Sequence, residues 1–224
     1  MEEKIKLGYL DEDYTNRGLF YNNFKDYFEV FMFDMFDDIR TLEELMEKIE
    51  ESGIDVLAVD YKMAESGVVT YNGNEVVDML YERKRYFPVF MITSHITRAM
   101  NNMNDVFLIN DKDCIYKPEM LPGIVQKIKG AVASYRRRIV EIDERCRCLE
   151  SKQNSDEGLT PSEEKELLSL HVEQNAIDPK GNPLSPDKLQ TQSLKELQEL
   201  VKNSRELLES LIPQHYNLIF FIST

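Results

Sequence analysis

The sequence predicts an α/β domain built on a doubly wound parallel sheet, followed by a long helix and a small all-α module. Three observations carry that prediction. Short apolar runs alternate with amphipathic segments over the first 118 residues, the order that produces a parallel sheet with helices on both faces. The run at 54–59 is apolar except for Asp55, as a strand buried on both sides requires. From Leu121 the alternation gives way to an apolar repeat of helical spacing.

Residues 5–10 read as the first strand, and 15–27 as a helix with Leu19, Phe20, Phe24 and Phe28 on one side. A second strand covers 29–33. The helix at 42–51 has Thr41 as its N-cap and Gly53 just past its end, the usual start and stop signals. Strand 54–59 leads into a loop carrying Gly67 and Gly73, then a helix over 75–84, a strand over 89–92, a short helix over 97–102 and a last strand at 114–116.

Leu121, Val125, Ile128, Val132, Tyr135, Ile139, Ile142, Cys146 and Leu149 follow one another in alternating steps of four and three. That is a heptad seam on a helix of roughly 40 Å. Its first half can cover the sheet. Beyond Tyr135 no sheet remains, so the second half calls for a partner helix, either in a homodimer or in the C-terminal module. A polar break at 151–158 precedes Thr160-Pro161-Ser162-Glu163, a helix start with proline at the first helical position. That helix should run to about 176. A loop over 178–187 and a final helix over 188–211 complete a helical hairpin. The expected organisation is thus a domain at 1–130, a long helix at 119–154, an output module at 159–212 and an apolar tail at 213–224.

Composition narrows the function. An apolar share of 42% suits a globular protein. No apolar run reaches the ~20 residues of a membrane span, and the start lacks a signal-peptide pattern. Three cysteines make no disulfide framework, so a soluble cytoplasmic protein is expected. A net charge of −14, with most of the acidic excess before residue 118, opposes binding to nucleic acid.

The residues with chemistry sit at strand ends. Asp11, Glu12 and Asp13 follow the first strand, Asp60 the third, Thr93 and Ser94 the fourth, and Lys117 and Pro118 the last. In an open parallel sheet the carboxyl ends of the strands line one crevice, where these groups can meet. Clustered carboxylates hold a hard divalent cation such as Mg²⁺, an aspartate can act as a nucleophile, and a lysine can neutralise a transferred phosphoryl group.

In that order and placement, the elements resemble a response-regulator receiver domain over residues 4–130 or so. The resemblance implies a flavodoxin-like five-stranded sheet and phosphoryl transfer to Asp60 from a histidine kinase or phosphotransfer protein. It implies an Mg²⁺ site made by Asp11, Glu12, Asp60 and the Lys62 backbone carbonyl. Thr93 would hydrogen-bond the phosphoryl group, Lys117 would pair with it, and Pro118 would take the cis-proline position. Departures from the family pattern are Ala64 where proline is usual, a longer stretch from Ala64 to Gly73, and Cys114 at the position of the switching aromatic. The stretch opening at Gly158-Leu159-Thr160 resembles the first helix of a helix-turn-helix output domain, without a basic recognition helix after it.

The reading that follows is a phosphorylation switch, not a multi-turnover enzyme, that relays its state through the long helix to a module binding a downstream protein. The alternatives are a receiver-like scaffold that no longer switches, and a transcription regulator with a divergent helix-turn-helix.

Overall fold

A computed structural model of the chain describes residues 4–34, 39–102 and 109–178, together with Lys202. Five strands, β1 (Lys6–Leu10), β2 (Glu29–Met32), β3 (Val56–Val59), β4 (Val89–Thr93) and β5 (Ile109–Asp111), form one parallel sheet in the order β2-β1-β3-β4-β5. That order, with helical crossovers, is the flavodoxin-like fold expected from the sequence. Alternate residues of β3 serve opposite faces: Leu57 and Val59 join one core, and Val56 and Ala58 the other.

One face is covered by α2 (Leu42–Ser52) and α3 (Gly73–Arg83) through Leu45, Met46, Ile49, Val76, Val77 and Leu80. Thr41 and Glu44 form a capping box at the start of α2, and Gly53 closes it at φ 61°, a left-handed geometry that glycine adopts without strain. On the other face, α1 (Tyr14–Phe24) stacks Phe20 on Tyr9 at 3.8 Å and Phe24 on Phe20 at 4.2 Å between ring centres. Ile124, Val125, Ile128 and Val132 complete that layer from α6 (Leu121–Gln153). The short helices α4 (Ile96–Asn102) and α5 (Asp113–Tyr116) flank β5.

The last strand differs from expectation. Residues 114–116 lie in the single turn α5, and β5 is Ile109–Asp111. The cause is local: Asp111 Oδ1 accepts the Asp113 N–H at 2.9 Å, and the Lys117 N–H closes the turn on the Asp113 carbonyl at 2.8 Å. An aspartate bonding two residues ahead ends a strand and starts a turn.

The loop from Ala64 to Gly73 opens with a 3₁₀ turn at Ala64–Ser66. Asn72 Oδ1 accepts the N–H groups of Met63 and Ala64 at 3.1 and 3.2 Å, and Gly73 donates to the Tyr61 carbonyl at 2.9 Å. A Cβ on Gly73 would lie 2.1 Å from the Asp60 carbonyl oxygen. Only glycine permits that approach.

The chain divides into two compact units. One comprises 1–141 with 176–179, and the other 142–175 with 180–224. Within the second, the end of α6 and α7 (Pro161–Ile177) form an antiparallel hairpin joined by paired polar side chains. Arg145 grips both oxygens of Glu166 at 2.7 and 2.8 Å, and Lys152 those of Glu163 at 2.8 and 3.1 Å. Ile142, Cys146, Leu149 and Leu167 are buried in this unit. The helix expected at 188–211 and the apolar tail lie outside the described residues.

Candidate functional site

Asp11 directly follows β1, Asp60 follows β3, Thr93 ends β4 and Lys112 follows β5. Parallel pairing of β1, β3, β4 and β5 brings these four positions to one edge of the sheet. Carboxylate oxygens of Asp11, Glu12 and Asp60 all lie within 4.8 Å of one another. Asp11 is fully buried and Asp60 nearly so, at 4% exposure.

The cation among these acids is Lys112. Its Nζ lies 2.8 Å from Asp11 Oδ2 and 3.1 Å from Asp60 Oδ2. Its backbone N–H donates to the Thr93 carbonyl at 3.1 Å, fixing the end of β5 against the end of β4. Lys117, expected in this position, lies elsewhere, on an exposed surface beside Asp113. With residues 114–116 coiled into α5 rather than extended, Lys117 falls beyond the strand end and its ammonium pairs with Asp113 on an exposed surface. Pro118 begins a 3₁₀ turn, and no cis peptide bond occurs among the described residues. Lys112 is followed by Asp113 rather than proline, and the residue three before it is Ile109.

Charge at the site is unbalanced. Three carboxylates meet one ammonium, a formal excess of two negative charges. Asp60 Oδ1 and Glu12 Oε2 are buried without a hydrogen-bond partner, which is costly for a carboxylate. Burial pushes the Glu12 carboxyl up to about 7, helped by Asp11 and Asp60. Asp60 is likewise raised, first by burial, although Lys112 opposes the shift. Burial alone would lower the Lys112 ammonium, but Asp11 and Asp60 hold it above its ordinary value. Such a cluster of hard oxygens with two unsatisfied members suits a divalent cation such as Mg²⁺. Lys62 stands two residues beyond Asp60, where its backbone carbonyl belongs to the same loop, and its side chain pairs with Glu65 at 2.6 Å.

Thr93 is fully buried, and its Oγ1 accepts the His95 N–H at 3.1 Å. That bond leaves the hydroxyl hydrogen for another acceptor. Ser94 and His95 are exposed. Asp13 does not join the cluster: it caps α1, accepting from the N–H groups of Thr15 and Asn16 at 2.7 and 3.2 Å.

Lys112 and Tyr9 are among the residues at the site that were not foreseen. Lys112 left a partial signal, the apolar sequence Val106-Phe107-Leu108-Ile109, but the polar Asn110 and Asp111 stand between the two. Tyr9, whose hydroxyl donates to Asp11 Oδ2 at 2.6 Å, left none, since a tyrosine inside a strand gives no hint of its hydroxyl's partner.

No helix among the described residues is long and apolar enough to cross a membrane. No protein-family model matches the sequence, and no curated protein does. Solved structures similar to it include two receiver proteins. One is the signal receiver domain of a Luxo repressor protein from Vibrio parahaemolyticus, 16% identical, covering 58% of this chain and 95% of its own, with a TM-score of 0.42. The other is a response regulator protein from Burkholderia multivorans, 16% identical, covering 56% of this chain and 95% of its own, with a TM-score of 0.37. These likenesses are distant, and the fold assignment rests on the sheet order itself.

Proposed function

We propose that the protein is a phosphorylation-dependent signalling switch in which Asp60 accepts a phosphoryl group from a histidine kinase or phosphotransfer protein. The observation that carries this reading is the buried, unpartnered Asp60 Oδ1 beside Asp11, Glu12 and Lys112. Asp60 Oδ1 attacks phosphorus, the bond from phosphorus to the donor breaks, and the donor leaves with that electron pair and takes up a proton from water. The product is an acyl phosphate on Asp60. Lys112 takes the charge-neutralising role first expected of Lys117, and the free hydroxyl hydrogen of Thr93 donates to a transferred oxygen.

Asp11, Glu12, Asp60 and the Lys62 backbone carbonyl would hold Mg²⁺. When bound, the ion supplies positive charge that screens Asp60 from an incoming phosphate. The added charge on Asp60 biases the loops at the strand ends. We take α6 as the route to the helical module, which binds a downstream protein, with dimerisation through α6 as a further element of this reading. Cytoplasmic location and the absence of multi-turnover catalysis belong to it too.

Incubation with Mg²⁺ and a small acyl phosphate, followed by intact-mass measurement, tests the first step. The wild type should gain the mass of one phosphate and Asp60→Asn should not. An unchanged wild-type mass defeats the proposal.

A non-switching scaffold is the second reading, favoured by Ile109, an aliphatic residue where a switching aromatic would stand three positions before Lys112. It predicts no difference in partner binding between wild type and Asp60→Asn. The transcription-regulator alternative depends on residues after 178, outside those described.

A further inference from the structure

The buried acidic cluster has a hydrogen-bonded exit to the surface that the phosphoryl-transfer reading does not use. Asp11 Oδ1 accepts the Asp13 N–H at 2.8 Å and the Asn16 Nδ2 at 3.3 Å. The Asn16 carboxamide accepts in turn the hydroxyl of Tyr116. Asn16 is buried at 6% exposure, whereas the Tyr116 side chain stands on the outside of α5, half exposed. A second bond, from Asn23 Nδ2 to the Ile115 carbonyl at 2.6 Å, ties α1 to the same turn.

The place of Asn16 is unusual for a residue with no role beyond packing. It shares the inward stripe of α1 with Phe20 and Phe24, at four-residue spacing. An apolar side chain would continue that stripe, whereas a buried carboxamide must satisfy both its ends. Here one end is satisfied by a carboxylate of the cluster and the other by a surface tyrosine. A carboxylate oxygen drawn toward a cation is a poorer acceptor for its other partners, so the Asn16 amide loosens. A loosened carboxamide no longer fixes its oxygen under Tyr116.

We propose that Asn16 passes the cation occupancy of Asp11 to Tyr116, making this exposed tyrosine the surface read-out of the acidic site. The proposal rests on the reading of Asp11, Glu12 and Asp60 as a divalent-cation site. Asn16 and Tyr116 are positioning residues in it, and neither touches the reacting atoms. The read-out is a ring freed or held on the α1–α5 surface.

The full chain labelled with 3-fluorotyrosine tests it by ¹⁹F spectroscopy, the Tyr116 resonance being the one lost in Tyr116→Phe. In a Mg²⁺ titration that resonance should move with the midpoint of the binding heat measured by calorimetry. Asn16→Leu should still bind Mg²⁺ but hold the resonance still. Because coupling is reciprocal, Tyr116→Phe, which keeps the ring and loses only the hydroxyl, should change Mg²⁺ affinity about fivefold. A purely structural contact would alter stability and leave affinity unchanged. Binding heat with an unmoved Tyr116 resonance, or unchanged affinity in Tyr116→Phe, overturns the relay alone. Neither heat nor movement removes the cation reading, and the relay with it.

Discussion

The molecule holds two clusters of acids and bases that look alike in sequence and differ in physics. In the α6–α7 hairpin two carboxylates each meet a basic side chain: Glu166 has Arg145 and Glu163 has Lys152, both pairs reaching the surface. At the sheet edge, three carboxylates share Lys112, and two buried oxygens have no partner. The first arrangement is complete and asks for nothing more. Exposed pairs of that kind contribute little to stability and mainly fix how two helices meet. The second persists because the fold around it holds it together, the pattern of a site suited to a ligand the chain does not supply.

The comparison breaks most visibly at Lys112. Lys112→Ala should slow phosphorylation of Asp60 by roughly 100-fold, while Lys117→Ala leaves the rate unchanged, measured by mass gain over time. Equal losses in the two variants would return the role to Lys117. Next comes the packing around Asp60. Gly73→Ala forces a Cβ against the Asp60 carbonyl and should cost about 1–3 kcal/mol in chemical denaturation. A wild-type midpoint would show that the loop yields without strain.

A smaller effect concerns pH. The Glu12 carboxyl is raised from 4.5 to about 7 on folding. The native state therefore binds the proton more tightly than the unfolded one, and this contribution is fully present below pH 4.5. It is lost as pH rises toward 7, so the cation-free protein should become less stable across that window. Glu12→Gln should flatten this part of the melting-temperature profile, and an unchanged slope would place the titration elsewhere. The smallest effect is expected at the hairpin. Arg145→Ala and Lys152→Ala should leave the melting temperature of the sheet-bearing unit and its mass gain in acyl phosphate unmoved, and a loss of that gain in either would undo the contrast between the clusters.

Much of this was legible in the sequence, for identifiable reasons. β1, β3 and β4 are largely apolar runs that a polar residue ends or directly follows, so Asp11, Asp60 and Thr93 could be assigned to strand ends from pattern alone. β5 failed that test because two of its three residues, Asn110 and Asp111, are polar. Cys114, Ile115 and Tyr116, followed by Lys-Pro, supplied a more convincing apolar triplet five positions too late. What decides between the two is an aspartate side chain turning back on its own backbone, a contact that hydropathy does not encode. The Tyr9 and Asn16 contacts with Asp11 were unreadable for a related reason: the residues are close in sequence, but the contacts depend on where their side chains point.

The stretch between Ala64 and Gly73 also bears on how this protein can be handled. Both of its ends are tied down, by Asn72 to Met63 and Ala64 and by Gly73 to Tyr61, while Gly67 between them turns at φ 72° with open space around it. Chain added at such a tip lengthens a closed loop at a cost of only about 0.6 kcal/mol per doubling. A fluorophore or short epitope placed at Gly67 would then sit a few residues from Asp60 and report on it from outside.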